Sequence, residues 1–295
     1  MSEPKSERVV EGVRLSNPDK VLYPEQGITK GDLADHYLAI ADRMLPHVAM
    51  RPITMVRCPT GRQKNCFYQR HAGAGIARQI EQVTVPGFDN PYLFIRDVAG
   101  LISLVQMGVL EIHPWGVRVE RPDRPDRMIF DLDPDEDLGF EAVVRAARDV
   151  RDRLSALGLR SFVKTTGGKG LHVVLPIEPV HEWRAVKAWA KLFSETMAAD
   201  APELYLTRIA KAERTGRIFI DYLRNDPTST AVGPYSTRAR PGAPVAMPLD
   251  WKAVKAGLDP GRFTVATAAG HVASRADPWA DFDAVRQRLP DLPGA

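Results

Sequence analysis

The sequence has few of the features that mark secreted or membrane-bound proteins. Its 295 residues include only two cysteines, Cys58 and Cys66, with no His/Cys partner pattern around them. The simplest interpretation of so few cysteines is a reduced, intracellular protein. There is no secretory signal pattern and no apolar run near the length of about 18 residues that a membrane-spanning helix needs. We therefore expect a cytoplasmic protein.

The sequence also has no strong excess of positive or negative charge. The 40 Lys and Arg residues nearly balance the 37 Asp and Glu residues, which leaves a net charge of +3. This balance permits nucleic-acid binding, but a local basic patch would have to make the contact. Internal repeats are absent, and so is the phosphate-loop spacing G-x-x-x-x-G-K-[ST]. Residues 1–12 are polar and charged, and we expect a flexible N-terminal tail there.

What the sequence does contain is a pair of aspartates at the end of an apolar segment. Met128 to Phe130 predicts a short buried strand, and Asp131 and Asp133 follow it, before Pro134. Side chains two apart on a strand point the same way, so the two carboxylates converge. Such a pair is a hard-oxygen site for Mg²⁺ or Mn²⁺. An acidic turn is the alternative, and for this short pattern alone it is the commoner outcome.

Two later segments favour the metal interpretation. The glycine-rich turn from Thr165 to Gly170 lies between two predicted strands and carries Lys169, with His172 just beyond it. Glycines let backbone N–H groups approach an anion closely, although a hairpin with a solvated lysine would look the same. A second apolar strand, 218–223, carries Asp221.

Three aspartates on two strands predict a site for two divalent ions, with cationic side chains to hold a triphosphate. Lys169, His172 and Arg238 are the candidates for that role. This set predicts a polymerase or primase. The first alternative is a metal-dependent nuclease or phosphoesterase, which would not need so many phosphate-holding cations. The second is a DNA-end-binding module without catalysis, which would not need three aspartates.

The periodicity predicts helices mixed with strands. The predicted helices span residues 30–45, with Thr29 as N-cap, and 92–109, 139–157, 182–199 and 278–290. Some predicted strands are joined by short turns. This alternation predicts an α+β protein with mixed or antiparallel sheets.

Eight ordered segments point to a known family. They read LSNPDKVLYP, RPITMVRCPTG, CFYQRH, EIHPWG, RPDRPDRMIFDLDPDE, TTGGKGLHVVLP, IFIDYLRN and YSTRARPGAPVAMPLDW. From Leu15 to Trp251 the chain resembles the polymerase domain of the bacterial DNA ligase D proteins, in the archaeo-eukaryotic primase superfamily. The resemblance implies one primase-polymerase domain over 13–295, with two sheets, flanking helices and an active site between the sheets. The chain leaves no room for a ligase or phosphoesterase module, so we expect either a stand-alone polymerase or an excised domain.

The resemblance further implies a repair polymerase of non-homologous end joining. Such enzymes add nucleotides, preferring ribonucleotides, to 3′ ends at breaks and short gaps. They use Mn²⁺ or Mg²⁺ with NTP or dNTP substrates and recognise a downstream 5′-phosphate. The implied partners are DNA ends, gapped DNA, the end-binding protein Ku and an ATP-dependent DNA ligase. The implied location is the bacterial cytoplasm, in association with the nucleoid.

Site residues carry over motif by motif. Asp131, Asp133 and Asp221 would be catalytic metal ligands. The incoming nucleotide would contact Phe67, His113, Thr166, Lys169, His172, Arg224 and Arg238. The 5′-phosphate would be held by Asn17, Lys20, Lys30 and Arg214. Pattern alone would make Phe67 a core residue and the two lysines solvated, so these roles come from the resemblance.

The chain departs from the family pattern at two places. Thr166 replaces the usual serine, and because its hydroxyl is retained we expect the nucleotide contact to survive with an added methyl group. The segment after Asn225 usually reads Arg-Gly-Ala-Thr-Ala, whereas here residues 226–231 read DPTSTA, without the glycine and the basic residue.

Overall fold

A computed structural model describes residues 7–73, 75–210 and 213–292 of the chain. These residues divide into two compact units. The first comprises the described residues up to Pro114, with Val232–Ala246 and Gly261–Ala276. The second comprises Trp115–Ala231, Met247–Pro260 and the described residues from Asp277 onward. That residues 13–295 form a single domain stays a prediction, as does an active site between the sheets.

The predicted flexible tail is wrong for residues 7–12, while residues 1–6 lie outside the described residues. Glu7–Val10 (β1) pairs with Val13–Ser16 (β2) in an antiparallel hairpin. The two turn residues, Glu11 and Gly12, both have positive φ, the backbone of a two-residue hairpin turn. Val10 and Val13 are buried beside the turn, so the hairpin is anchored despite its polar composition.

The remaining elements of the first unit follow the order of the chain. They are β3 (Val21–Tyr23), β4 (Ile28–Thr29), α1 (Lys30–Val48), β5 (Ile53–Arg57), β6 (Phe67–Gln69), β7 (Ile80–Val83), β8 (Tyr92–Ile95), α2 (Val98–Gln106), β9 (Val109–Pro114) and a helix at Val265–Ala273. Strand β5 pairs antiparallel with β6, β8 and β9, and β7 pairs with β8.

Helix α1 begins where the sequence predicts. The Thr29 hydroxyl accepts a hydrogen bond from the backbone N–H of Asp32, and the Asp32 carboxylate accepts one from the N–H of Thr29. This reciprocal capping box fixes the first turn. The helix predicted over 92–109 is wrong in its first part, because Tyr92–Ile95 is a strand. Asp97 then caps α2 by accepting from the N–H of Gly100.

The two cysteines are not reduced. A disulfide links Cys58 and Cys66, whose Cα atoms lie 4.3 Å apart, so the prediction that these two cysteines are reduced is wrong. The reason lies in the register of β5 and β6, in which Arg57 pairs with Phe67. One step beyond that pair, Cys58 and Cys66 face one another at the open end of the ladder.

The second unit is built on one six-stranded sheet. Its elements are β10 (Arg127–Pro134), α3 (Phe140–Ala156), β11 (Phe162–Thr165), β12 (Leu171–Pro176), α4 (Trp183–Asp200), β13 (Tyr205–Leu206), β14 (Ile218–Asp221) and β15 (Pro248–Leu249). The strand order is β13-β14-β10-β12-β11-β15, and every neighbouring pair is antiparallel except β13 with β14.

Alternation along β10 separates core from site. Met128, Phe130 and Leu132 are fully buried, and the Phe130 ring lies 5.0 Å from that of Phe193 on α4. Asp131 and Asp133 alternate with these residues along the strand, so they point to the opposite face of the sheet. Pro134 ends the strand, as predicted.

An aromatic cluster covers one end of this opposite face. The helix predicted over 278–290 is wrong, because that segment contains only a single 3₁₀ turn at Phe282–Ala284. Its apolar residues cover the sheet instead of following a helical face. Trp279 and Phe282 stack with ring centroids 5.0 Å apart and pack with Phe162 and Val174.

The described residues therefore form the mixed α+β fold that the sequence predicts. Sheets are antiparallel with one parallel pair, and helices flank them. Among the described residues, none of the helices combines the length and the apolar character needed to span a membrane.

Candidate active site

Four chemically active side chains form one row across the sheet of the second unit. In the strand register Asp221 pairs with Asp131, Asp131 pairs with His172, and His172 pairs with Lys164. Directly paired residues on neighbouring strands project from the same face. The row thus crosses β14, β10, β12 and β11 on the face opposite α4, beyond the aromatic cluster. Asp133 is on the same face, two residues along β10.

An arginine and a buried histidine, whose pKa is lowered to about 4 chiefly by burial, contact the aspartates of the row. Nε of Arg224 lies 3.2 Å from Oδ2 of Asp131 and 3.1 Å from Oδ2 of Asp221, so one guanidinium bridges both carboxylates. Nε2 of His172 lies 3.3 Å from Oδ1 of Asp131. The backbone N–H of Leu223 donates to Oδ1 of Asp221 at 2.9 Å and fixes that side chain.

Asp133 has a cation of its own. Nη1 of Arg214 donates to Oδ2 of Asp133 at 2.8 Å, and the Arg214 guanidinium lies over the Phe219 ring at 4.2 Å from its centroid. The resemblance implies a 5′-phosphate contact for Arg214, whereas the structure places its guanidinium on an expected metal ligand. The phosphate role of this arginine stays a prediction.

The surroundings of Asp131 and Asp221 shift the pKa values of the two carboxyl groups in opposite directions. Burial alone would raise the pKa of Asp131, but His172 and then Arg224 more than offset it, so the pKa of Asp131 is well below its usual range. The pKa of Asp221 is raised, chiefly by burial and also by the negative charge of Asp131. Carboxylates that oppose one another's ionisation in this way are suited to share a cation.

The three aspartates fit a divalent ion in chemistry. Hard carboxylate oxygens from two neighbouring strands share one face, and each carboxylate already contacts a positive or hydrogen-bonding partner. In the described part of the chain, no group of three or more His, Cys, Asp or Glu side chains is arranged closely enough to hold a metal ion as it stands. Arg214 and Arg224 contact oxygens of these carboxylates, so a metal ion would have to displace their guanidinium groups.

The glycine-rich turn lies against the aspartate row. A Cβ atom on Gly170 would come within 2.5 Å of the carbonyl oxygen of Leu132, so only glycine allows β12 to start this close to β10. The Thr166 hydroxyl donates to the Gly170 carbonyl at 3.2 Å and closes the turn. Lys169 is exposed at its tip. Nδ1 of His172 is buried and has no hydrogen-bond partner among the residues that the structure describes.

Three further predicted nucleotide contacts belong to the first unit. His113 and Arg238 meet there at one carboxylate, because Oε2 of Glu111 lies 2.8 Å from Nε2 of His113 and 3.0 Å from Nε of Arg238. Phe67 is 45% exposed, and the Arg57 guanidinium lies 5.5 Å from its ring centroid. Exposure of an aromatic ring at this level suits stacking on a base and not a core position.

The three other residues predicted to hold a 5′-phosphate also lie together in the first unit. Lys30 is the first residue of α1, and its backbone N–H donates to the carbonyl of Lys20, whose own N–H donates to the carbonyl of Asn17. Nζ of Lys30 donates to the Ser16 carbonyl at 2.8 Å. Burial and the charge of Lys20 lower the pKa of Lys30. Because the Lys30 side chain is buried and donates to internal carbonyls, the 5′-phosphate role of these three residues stays a prediction.

Sequence reasoning missed three residues of the site. Glu111 joins His113 to Arg238, and its signal was the strand alternation that places it two residues before His113. Lys164 completes the cross-strand row, which depends on a register that the sequence does not display. The Asn225 side chain bonds both the N–H and the carbonyl of Ile129 at 2.8 Å, and holds β10 where β14 no longer pairs with it.

Comparison with known proteins assigns the family. The family described as "LigD, primase-polymerase domain" matches residues 29–279. The chain belongs to this family. It is a family of metal-dependent nucleotidyltransferases, and the chain is therefore an enzyme of the polymerase type. The resemblance noted in the eight sequence segments is confirmed.

Relatives agree with this assignment. The multifunctional non-homologous end joining protein LigD of Pseudomonas aeruginosa is 36% identical over 284 residues, which are 94% of this chain and 34% of that protein. The bifunctional non-homologous end joining protein LigD of Bacillus subtilis is 28% identical over 272 residues, 92% of this chain and 44% of that protein. The chain thus spans less than half the length of these LigD relatives.

A solved structure shares the fold. The polymerase domain from Mycobacterium tuberculosis ligase D, in complex with DNA, matches with a TM-score of 0.86 and 32% identity. The match covers 92% of this chain and 98% of that one. The α+β fold class is therefore the one that the LigD polymerase domain has.

Proposed function

We propose that the chain is a primase-like repair polymerase that adds nucleotides to 3′ ends at DNA breaks and short gaps in non-homologous end joining. The observation that carries the proposal is the row in which Asp131 faces Asp221, with Asp133 on the same face. Three carboxylates on one face suit two divalent ions, which a polymerase needs and a binding module does not.

Asp131, Asp133 and Asp221 are the proposed ligands of two Mn²⁺ or Mg²⁺ ions. When bound, the ions supply activation of the attacking 3′-hydroxyl and neutralisation of the leaving pyrophosphate. Asp131 stays ionised because its pKa is held below the usual range by His172 and Arg224. Arg224 keeps the paired carboxylates of Asp131 and Asp221 at a fixed separation.

The proposed nucleotide contacts are Phe67 and a set of polar and cationic side chains. Those proposed to contact phosphate oxygens of an NTP or dNTP are Lys169 at the tip of the glycine-rich turn, the buried His172, His113, Thr166, Arg224 and Arg238. Phosphate oxygens accept charge-assisted hydrogen bonds, which cationic side chains and the backbone N–H groups of a glycine-rich turn can donate. Phe67 offers a ring face for the base, which favours no particular base.

DNA is the proposed partner, and its downstream 5′-phosphate is the proposed recognition element. Asn17, Lys20 and Lys30, the first residue of α1, are proposed to bind that phosphate, and Arg214 is proposed to assist once it leaves Asp133. Ku and an ATP-dependent ligase are the proposed protein partners, on the strength of the family resemblance, and the LigD relatives are named for non-homologous end joining. The proposed location is the bacterial cytoplasm, with the nucleoid.

The experiment is primer extension on gapped DNA with and without a downstream 5′-phosphate, in Mn²⁺, with NTPs or dNTPs. We expect extension that rises with the phosphate and favours NTPs. The variant Lys20→Ala should lose the phosphate-dependent part only, while Lys255→Ala, an exposed lysine of the second unit, serves as its matched control. Extension that is equal with and without the phosphate would remove the gap-recognition part of the proposal. Release of end-labelled fragments without extension would point to a nuclease.

A further inference from the structure

Glu111 lies at the centre of a buried cluster in the first unit. Strand β9 alternates so that Glu111 and His113, two residues apart, share one face. Their exposed fractions are 6% and 8%. The Glu111 carboxylate contacts three donors: Nε2 of His113 at 2.8 Å, Nε of Arg238 at 3.0 Å and the backbone N–H of Ala239 at 2.9 Å.

The segment that carries Arg238 is joined to β9 on either side of Glu111. Oγ of Ser236 accepts a hydrogen bond from the N–H of Ile112 at 2.9 Å. The Thr237 hydroxyl donates to the carbonyl of Leu110 at 2.6 Å. Because β9 pairs with β5 alone in the sheet, these side chains occupy backbone groups that a further strand would otherwise use.

The backbone of Arg238 is fixed as well. Its N–H donates to the Pro244 carbonyl at 2.9 Å, and its carbonyl accepts from the Tyr23 hydroxyl at 3.0 Å. With the main chain held at both ends, the ion pair between Nε of Arg238 and the Glu111 carboxylate contributes to the orientation of the guanidinium.

Glu111 carries a full negative charge at neutral pH. Burial alone would raise its pKa, but the hydrogen bond from His113 and the charge of Arg238 bring the pKa to about 2. The buried, ionised carboxylate accepts hydrogen bonds from His113 and from the Ala239 N–H and forms an ion pair with Arg238, and together these contacts hold the three groups in one geometry.

We infer that Glu111 is the positioning residue for the incoming nucleotide: it orients His113 and Arg238 toward the triphosphate and so sets nucleotide affinity. The inference rests on the proposed function, which gives His113 and Arg238 their phosphate role. Glu111 itself does not contact the phosphates, because a carboxylate would repel them. Its effect is therefore on the KM for nucleotide and much less on kcat.

The test is the substitution Glu111→Gln, which keeps the size of the side chain. An amide has one acceptor oxygen and one donor nitrogen, so it cannot accept from all three donors at once. We expect the KM for NTP to rise roughly tenfold, the cost of one charge-assisted hydrogen bond, with kcat changed less than about threefold. Direct titration with a non-hydrolysable NTP and Mn²⁺ should show the same loss of affinity.

A double-mutant cycle separates positioning from general stability. If Glu111 acts through Arg238, then Glu111→Gln adds little further KM increase to the variant Arg238→Ala. A merely structural role would lower the thermal midpoint and leave this coupling at zero. Glu81→Gln is the matched control, because Glu81 accepts hydrogen bonds from Arg96 on the exposed surface of the same unit. That variant should keep the wild-type KM.

The outcomes are distinguishable. A folded Glu111→Gln protein with wild-type nucleotide affinity overturns the inference while the proposed function stands. Failure of the wild-type protein itself to bind NTP overturns the proposed function and the inference together. If Glu111→Gln does not fold, Glu111→Asp replaces it. The shorter side chain keeps the charge but cannot reach all three donors, so a rise in KM supports the inference and an unchanged KM overturns it.

Discussion

Asp131 and Asp221 face one another across the antiparallel pair of β10 and β14, and Arg224 contacts both carboxylates. Neither residue is near the other in sequence. Their pairing makes the face of one sheet an acidic site with a built-in counter-ion. Asp133 also has an arginine as counter-ion, because Nη1 of Arg214 donates to its Oδ2.

Removing the Arg214 guanidinium should strengthen divalent-ion binding. In Arg214→Gln, Asp133 loses an ion pair with which a metal must compete. Asp133 is half exposed, so the pair is worth about 0.2–1 kcal/mol and the Kd for Mn²⁺ should fall by roughly 1.5- to fivefold. Calorimetric titration with Mn²⁺ measures this without activity. Arg217→Gln is the control, since Arg217 contacts the Pro202 carbonyl and not an aspartate. Unchanged or weaker Mn²⁺ binding in Arg214→Gln would contradict the competition.

Gly170 should tolerate no side chain. The Cβ atom of Gly170→Ala would lie 2.5 Å from the Leu132 carbonyl oxygen, and it would push β12 away from β10 beside Asp131. We expect a loss of about 1–3 kcal/mol in the free energy of unfolding, with a drop in nucleotide incorporation. Denaturant unfolding measures the first effect. Gly139→Ala is the matched control, because nothing lies within 4 Å of a Cβ there. Equal stability of the two variants would refute the close approach.

Asn225 should hold the catalytic strand in place. Its side chain is the partner of both backbone groups of Ile129, on the edge of β10 that β14 leaves at Asp131. Asn225→Ala leaves a buried donor and acceptor unpaired, which costs about 1–3 kcal/mol. Hydrogen exchange at the Ile129 amide should become faster, while the exposed-site control Asn90→Ala should leave it unchanged. Full protection of that amide in Asn225→Ala would show that the side chain is not what holds β10.

Acid sensitivity should come in part from His36. Burial lowers its pKa from 6.5 to about 4. Because the folded pKa lies below the unfolded one, the unfolded chain binds more protons between these values, and stability falls as the pH falls from 6.5 toward 4. The loss attributable to His36 is at most about 3 kcal/mol. Denaturant unfolding at several pH values in this range should show that the free energy of unfolding falls less steeply with falling pH in His36→Leu than in the wild type. An equal pH dependence of the free energy of unfolding in His36→Leu and the wild type would exclude His36 as a source of acid sensitivity. His181→Leu is the control.

The fold class and the acidic strand could be predicted from sequence for local reasons. Apolar residues alternate with aspartates along β10, and Thr29 and Asp32 carry the capping signal of α1 in four residues. These features depend on neighbours in the chain, so periodicity and spacing display them. The resemblance in eight segments then supplied roles that no spacing displays, including those of Lys20, Lys30 and Phe67.

What could not be predicted depends on register and on packing between distant segments. The pairing of Asp131 with Asp221, the contact of Glu111 with Arg238 and the disulfide at the end of the β5–β6 ladder all follow from which residues face one another. The helix prediction for the segment after Asp277 is wrong for a related reason. Its apolar residues suggest a helix, yet Trp279 and Phe282 are buried against the sheet, and tertiary packing overrides local propensity there.

The most direct test of the account compares nucleotide incorporation by Asp131→Asn, Asp221→Asn and the wild type on one gapped DNA, with DNA affinity measured in parallel. Asp137→Asn, an exposed aspartate of the loop after β10, is the matched control. The account predicts that both site variants lose incorporation by at least about a thousandfold and keep their DNA affinity, because metal-held charge stabilisation is lost. The control keeps full activity. Incorporation that persists in Asp131→Asn or Asp221→Asn would contradict the claim that these paired carboxylates form the catalytic centre.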